Sequence, residues 1–154
     1  MTASSASSRA TWHGRSVLAG FLLGVGAVAM VDEVVFHQLL HWHHFYDRST
    51  TGIGLVSDGL FHAFSWFATV AALFMVGGLR RERGFRAALF AAGCLIGVGS
   101  FQLYDGLVQH KLMRLHQIRY GVDLTPYDLI WNGLAAVLLA VGIVLWVRSA
   151  RARG

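Results

Sequence analysis

Two carboxylates and four histidines lie within residues 32–44, in the sequence DEVVFHQLLHWHH. On a helix of about 3.6 residues per turn, residues spaced four, four and three apart share one face. Four of these residues have that spacing: Glu33, His37, His41 and His44. The same helix geometry leaves Asp32 and His43 off the shared face. Ionisable groups at the edge of a membrane segment are costly, so this stripe is a candidate site for metal binding or proton transfer.

Two further groups of polar residues border later apolar runs. Asp58 and His62 are four residues apart, so they share a helix face. Asp58 could also stabilise the start of its helix through the helix dipole. Four more residues fall on one helical stripe with a fifth at its flank: Gln102, Asp105, Gln109 and His116, with His110.

A metal site is the leading hypothesis for these residues, because facing helices of a bundle project ligands into a shared core. The predicted ligands are His37, His41, His44, His62, His110, His116, Glu33, Asp58 and Asp105. The residues predicted to orient them are Gln102, Gln109, Asp128 and Asn132. Imidazole and carboxylate ligands suit zinc, copper(II) or iron. Met113 is the only sulfur nearby, which disfavours a thioether site for copper(I).

The elements that must position these residues are membrane helices. The chain has 154 residues, 55% of them hydrophobic and 14% charged, and a mean hydropathy of +0.53. Four apolar runs are each long enough to span a bilayer, at residues 17–40, 53–79, 85–108 and 129–147. The sequence therefore predicts an all-α integral membrane four-helix bundle that contacts the lipid bilayer. We expect a disordered tail at residues 1–15, the membrane domain at 16–148 and a basic tail at 149–154.

The net charge of +5 reflects membrane topology rather than nucleic-acid binding. Nine of the thirteen basic residues would lie on one side of the membrane: Arg9, Arg15, Arg80, Arg81, Arg83, Arg86, Arg148, Arg151 and Arg153. The positive-inside rule makes this side cytoplasmic, with both termini. The histidine-rich segments then belong to the opposite, outer face.

The chain also predicts an internal repeat of two helical pairs. A shift of 73 residues superposes Asp32 on Asp105, His37 on His110 and His43 on His116, and a shift of 70 superposes Asp58 on Asp128 and His62 on Asn132. Both pairs have the same orientation, so the relation would be a pseudo-twofold axis along the membrane normal. A cleaved signal peptide ending at residues 27–29 is an alternative for the first apolar run, and the repeat argues against it.

The segments SDGLFHAF and GSFQLYDGLVQHKLMRLHQIRYGVDLTPYDLIWN resemble the bacterial membrane-protein family called domain of unknown function 2243. The resemblance covers residues 20–146. It implies a four-helix protein of the bacterial inner membrane, with oxidase assembly proteins as partners and a role in metal handling for that assembly. The family pattern includes His43 as well as His44, whereas helix geometry favours His44 alone.

Other functions stay open at this point. The segment HQLLHWHH resembles, incompletely, the histidine boxes of membrane di-iron desaturases, so a di-metal oxidoreductase is one alternative. His37 and His110 as axial haem ligands are a second, and a non-catalytic proton or ion relay, or an assembly partner, is a third. The single cysteine, Cys94, is expected to be a packing residue. No nucleotide-binding or Ser-His-Asp motif is present.

Overall fold

The computed structural model describes the backbone of residues 3–152 and the side chains of residues 11–152. Within this part the regular structure is entirely helical: α1 (Ala3–Asp32), α2 (Thr51–Arg81), α3 (Ala87–Leu103) and α4 (Thr125–Arg151). Two π-helical segments, Glu33–Leu39 and Tyr104–Met113, extend α1 and α3. All four helices are long and apolar enough to cross a membrane. The predicted all-α membrane bundle is thereby confirmed.

The first helix begins earlier than expected. Residues 3–15 are helical in α1, whereas the sequence predicted a disordered tail up to residue 15. The connection between α2 and α3 explains this difference, because Arg15 forms a salt bridge with Glu82 and Trp12 packs on Gly84. The hydrogen bond from Arg15 also lowers the pKa of Glu82. Residues 1–2 of the predicted tail and residues 153–154 of the basic tail lie outside the described part.

The centre of the bundle is a close contact between α1 and α3. Two small-residue pairs, Gly20 with Gly24 and Gly93 with Gly97, form this contact. A Cβ atom on Gly20 would overlap the Phe90 carbonyl, so only glycine permits this backbone approach. α2 packs on α1, and α4 packs on α3.

The outer helices α2 and α4 present large apolar side chains to the surroundings. Phe67 and Phe74 of α2 are 72% and 78% exposed, and Leu129 and Ile130 of α4 are 69% and 70% exposed. In water such surfaces would be unstable, whereas lipid tails solvate them. These faces are therefore the lipid contact of the bundle.

Both central helices end in the same unusual way. The π-helical segments are followed by backbone hydrogen bonds to carbonyls five or six residues earlier, as from Leu40 to Val35, from Trp42 to Phe36 and from Leu115 to Gln109. His41 and Arg114 then adopt left-handed φ angles of 51° and 52°. The chain turns sharply there, which returns the following residues to the end of the bundle. The helical structure therefore ends at Leu39, and His41 and His44 do not continue the helix face of Glu33 and His37.

The second helix also begins earlier than predicted. Thr50 caps α2 by accepting a hydrogen bond from the Ile53 amide, so Asp58 lies inside the helix rather than at its start. Ser57 lies inside the helix, where it donates to the Gly54 carbonyl and accepts from the Tyr46 amide. Ser57 thus fastens the α1–α2 loop to α2 at the residue next to Asp58.

Candidate metal centre

A cluster of buried ionisable side chains lies where α1 and α3 end, at the end of the bundle opposite the chain termini. Eight of them are at most 5% exposed: Asp32, Glu33, His37, His43, Asp58, Asp105, His110 and His116. Burying a charged or polar group is costly unless it is paired or coordinates a metal. The contacts within this cluster therefore decide what it can do.

Asp32, His37 and His43 form the first of two similar three-ligand groups, with one ligand atom of each within 4.8 Å of the others. His37 Nδ1 lies 2.8 Å from Glu33 Oε2. His43 Nδ1 lies 3.0 Å from the carbonyl oxygen of Ile118. A carbonyl oxygen can only accept, so neutral His43 donates from Nδ1 and keeps its lone pair on Nε2.

Asp105, His110 and His116 form the second three-ligand group by the same distance criterion. His116 Nδ1 donates to the carbonyl oxygen of Phe45 across 2.9 Å, so its Nε2 also keeps a lone pair. This Nε2 lies 3.4 Å from Asp105 Oδ1. His110 Nε2 lies 3.0 Å from Asp105 Oδ2, but the two atoms are not aligned as a hydrogen bond. The histidine nitrogens and the Asp105 oxygens therefore lie close together without forming aligned hydrogen bonds.

The most informative feature of the cluster is its set of unpaired atoms. Seven buried ligand atoms have no hydrogen-bond partner in the described part of the chain: both ring nitrogens of His110, Nε2 of His37, His43 and His116, Oδ1 of Asp32 and Oδ2 of Asp105. An unpaired buried polar atom costs about 1–3 kcal/mol. A cation coordinated by these atoms would remove that cost.

The two three-ligand groups adjoin through their histidine rings. The rings of His43 and His116 are stacked, with centroids 4.6 Å apart and an interplanar angle of 6°. His37 lies 4.6 Å from His43, and His110 lies 4.7 Å from His116, measured between ring centroids. The four imidazoles therefore form one continuous row that joins the two groups.

His43 is held in its neutral form. Burial, followed by the neighbouring His116 and His37, lowers the pKa of His43 to about 2. Metal ligation requires the unprotonated imidazole. The surroundings of His43 therefore supply a ligand that needs no deprotonation at neutral pH.

Asp58 connects α2 to the first group. Its Oδ1 lies 3.2 Å from His37 Nδ1 and accepts a hydrogen bond from the Phe45 amide across 2.7 Å. Its Oδ2 lies 2.6 Å from Nδ1 of half-buried His44. Glu33, His37 and Asp58 form a third set with ligand atoms within 4.8 Å of one another. The carboxylates of Glu33 and Asp58 can orient His37 as well as bind a cation.

The structure brings most of the predicted ligands together but leaves His41 and His62 outside the buried cluster. His41 is exposed because the helix ends at Leu39 and the chain turns at His41. The buried face of α2 passes through Asp58 and Phe61, and His62 is exposed at its side. His41 is four residues from His37 and His62 is four residues from Asp58, but neither histidine lies in the cluster.

The glutamines that contact the cluster carboxylates are Gln109 and Gln38. Buried Gln109 donates to Asp105 Oδ1 across 3.1 Å, in the orienting role expected for it. Gln38 donates to Glu33 Oε1 across 2.8 Å, and the sequence did not single it out. Both amides lie next to potential ligands and restrict how the carboxylates can turn.

The other three residues predicted to orient ligands lie beside α4. Asp128 pairs with Lys111 at 2.5 Å. Asn132 donates to the backbone carbonyl of Asp128. The backbone carbonyl of Gln102 accepts from the Trp131 indole. None of these contacts reaches a ligand: the Asn132 bond lies within α4, and the other two connect α4 to α3 and its π-helical extension.

Helix-face reasoning missed Asp32 and His43. Both were disfavoured because a regular helix points them away from Glu33 and His37, but the π-helical segment and the turn at His41 change that geometry. The sequence did contain a signal for them, since the 73-residue shift pairs Asp32 with Asp105 and His43 with His116.

The fold and this cluster define a class of protein: a four-helix membrane bundle with buried histidines and carboxylates at one end. Residues 19–149 match the family described as "Predicted membrane protein (DUF2243)", so the chain belongs to that family. No curated protein matches the chain, and no solved structure does. The family confirms the resemblance and the membrane location but names no activity.

Proposed function

We propose that this protein binds transition-metal ions in the buried cluster, through two adjacent groups of two histidines and one carboxylate each. The proposal rests above all on the four buried Nε2 atoms of His37, His43, His110 and His116, which have no hydrogen-bond partner in the described part of the chain. Metal-binding histidines commonly donate from the other ring nitrogen to a carbonyl or carboxylate. His37, His43 and His116 each have such an acceptor at Nδ1.

The ligand set favours zinc, iron or copper(II). Two imidazoles and a carboxylate bind zinc with one position open, and the same set binds non-haem iron(II). The half-buried thiol of Cys94 lies in the α1–α3 contact rather than with the ligands. The neutral form of His43 supports binding at physiological pH.

The two groups are proposed to be halves of a duplicated arrangement. Contacts related by a 73-residue shift support this: His43 with Ile118 and His116 with Phe45, the left-handed residues His41 and Arg114, and Gly20 against Phe90 and Gly93 against Val17. The proposed location is the bacterial inner membrane, with both termini cytoplasmic and the cluster near the outer face. Its support is the distribution of arginines.

Oxidoreductase chemistry at a di-metal centre is a second candidate function. It is favoured by one observation, the stacking of His43 on His116, which brings the two groups side by side. Metal handling for respiratory oxidase assembly is a further proposal, and its support is the family resemblance alone. Both functions require that the cluster binds metal.

Elemental analysis of the full chain tests the proposal. Protein purified in detergent without chelator should contain about one to two equivalents of a transition metal, one for each three-ligand group that is filled. His110→Ala removes one imidazole of the second group and should lower that content by up to about one equivalent, because a two-ligand site binds weakly.

His62→Ala is the matched control, since it removes an exposed histidine outside the cluster. Its metal content should equal that of the wild type. A wild-type protein that contains no stoichiometric metal, and that takes up none when zinc, iron(II) or copper(II) is added, would show the proposal to be wrong.

A further inference from the structure

A polar cavity of about 370 Å³ lies at the end of the bundle where the α1–α2 loop meets the α3–α4 loop. Its lining is His41, Trp42, His43, His44, Asp47 and Tyr120. We name it the vestibule. His41 and Tyr120 are exposed, while His44 and Asp47 are half-buried and His43 is buried. The vestibule therefore extends from the surface to a side chain of the buried cluster.

His43 is the physical link between the vestibule and the cluster. It lines the vestibule and also belongs to the first three-ligand group with Asp32 and His37. A second link runs through Asp58, whose two oxygens lie 2.6 Å from His44 Nδ1 and 3.2 Å from His37 Nδ1. His43 thus belongs to the first group itself, and His44 is linked to that group through Asp58.

Two other cavities lie beside the cluster, and both are largely apolar. The smaller one measures about 240 Å³ and is lined by Asp32 and Gln102 among apolar and aromatic side chains of α1 and α4. The larger one is more apolar still. It measures about 390 Å³ and lies between α2 and α3, and Gln109 is the only amide or ionisable group in its lining apart from the Tyr104 hydroxyl. Its remaining lining is apolar: Phe45, Leu60, Phe61, Phe64 and Phe101. Moving a hydrated cation through such surroundings is costly. A metal ion would therefore reach the cluster through the polar vestibule.

The vestibule contains donors suited to borderline metal ions. The imidazoles of His41 and His44 and the carboxylate of Asp47 line one space. Among the described residues these three do not form a group as compact as those of the buried cluster. Ligands that are farther apart bind an ion weakly and release it quickly, which favours its transfer to a site with closer ligands.

We propose that the vestibule is a second, weaker binding site for divalent transition-metal ions, through which the buried cluster is loaded. This inference rests on the proposed function, because loading requires a cluster that binds metal. His41 and Asp47 capture the ion at the mouth, and His44 and His43 conduct it to the first group. The left-handed φ of His41 keeps its side chain at this mouth rather than on the helix.

The test measures how fast the metal-stripped full chain in detergent takes up cobalt(II), followed by its visible absorption. His41→Asn removes the imidazole with a residue that tolerates a positive φ angle. His41→Lys places a positive charge at the mouth. We expect loading to slow about tenfold in the first variant and further in the second, because a charge at a binding cleft changes association rates by about 10–1,000-fold. The final cobalt content, measured after weakly bound ions have been removed by desalting, should match the wild type, as should the affinity of the buried cluster.

His62→Asn is the control and should load at the wild-type rate. Equal loading rates for wild type, His41→Asn and His41→Lys would overturn the vestibule while leaving the proposed function intact. A lower final cobalt content in the two His41 variants would also overturn it, because His41 would then be a ligand of the stored ion. A wild-type protein that never binds cobalt, zinc or iron would overturn both proposals.

Discussion

The two three-ligand groups have the same ligand types but different surroundings. In the first group, His37 Nδ1 lies within 3.2 Å of two further carboxylates, Glu33 and Asp58. In the second group, Gly106 stands 73 residues after Glu33, and no carboxylate can be supplied from that position. The first group therefore combines its histidines with more negative charge.

The carboxylates of Asp58 in α2 and Asp128 in α4 have different partners, which increases the difference between the two groups. Asp58 of α2 contacts His37 and His44. Asp128 of α4, which the 70-residue shift relates to Asp58, instead pairs with Lys111 at 2.5 Å. The second group is consequently left with Asp105 as its carboxylate. Because a cation is bound more strongly where more carboxylates surround it, we expect the first group to hold metal more tightly.

The largest expected effect is the loss of His37. In the metal-stripped protein, His37→Ala leaves Glu33 and Asp58 without their shared imidazole, whereas His110→Ala affects Asp105 alone. We expect the free energy of unfolding to fall by about 3–5 kcal/mol for His37→Ala, as for other broken buried pairs. The loss for His110→Ala should be about 1–3 kcal/mol.

Denaturant unfolding in detergent, followed by circular dichroism, measures both values. Zinc added in excess should widen the difference between the two variants, because His110→Ala keeps the intact first group whereas His37→Ala keeps only the second. Equal losses in the metal-stripped variants would contradict the asymmetry between the two groups.

The second largest expected effect is a difference in metal affinity between variants of Asp58 and Asp128, the two aspartates related by the 70-residue shift. Asp58→Asn should weaken the tightest metal binding about 10–100-fold, because residues that orient metal-binding histidines usually contribute this much. Asp128→Asn should change it by less than about twofold, since a partly exposed pair with Lys111 contributes little. Competition with a metal-binding dye measures both affinities. A larger effect of Asp128→Asn than of Asp58→Asn would reverse the comparison.

The sequence predicted the bundle because its physical basis is local. Four long apolar runs separated by short polar connections require four spanning helices. The small-residue pairs Gly20 with Gly24 and Gly93 with Gly97 have the spacing typical of close helix contacts, and the structure has such a contact between α1 and α3. These features depend on composition and spacing alone, so no tertiary information was needed.

The candidate site was less predictable, because its ligands depend on how two helices end. A regular helix favoured His41 over His43, but the π-helical end of α1 and the left-handed turn at His41 reverse that order. Left-handed residues are most often Gly or Asn, and neither His41 nor Arg114 signals such a turn. His43 was indicated by its pairing with His116 under the 73-residue shift and by the family pattern, but not by helix geometry.

The smallest expected effect concerns the two glutamines that hold carboxylates. Gln109 is buried and donates to Asp105, the one carboxylate of the second group, whereas Gln38 is exposed and donates to Glu33, which also contacts His37. Gln109→Leu should lower the unfolding free energy by about 1–3 kcal/mol, because a buried oxygen loses its donor. Gln38→Leu should cost about 0.5 kcal/mol, since water can replace an exposed amide. Both are measured by the same denaturant unfolding. A larger loss of unfolding free energy for Gln38→Leu than for Gln109→Leu would contradict this expectation. It would mean that Glu33 of the first group depends on the Gln38 amide and is not held by His37 alone.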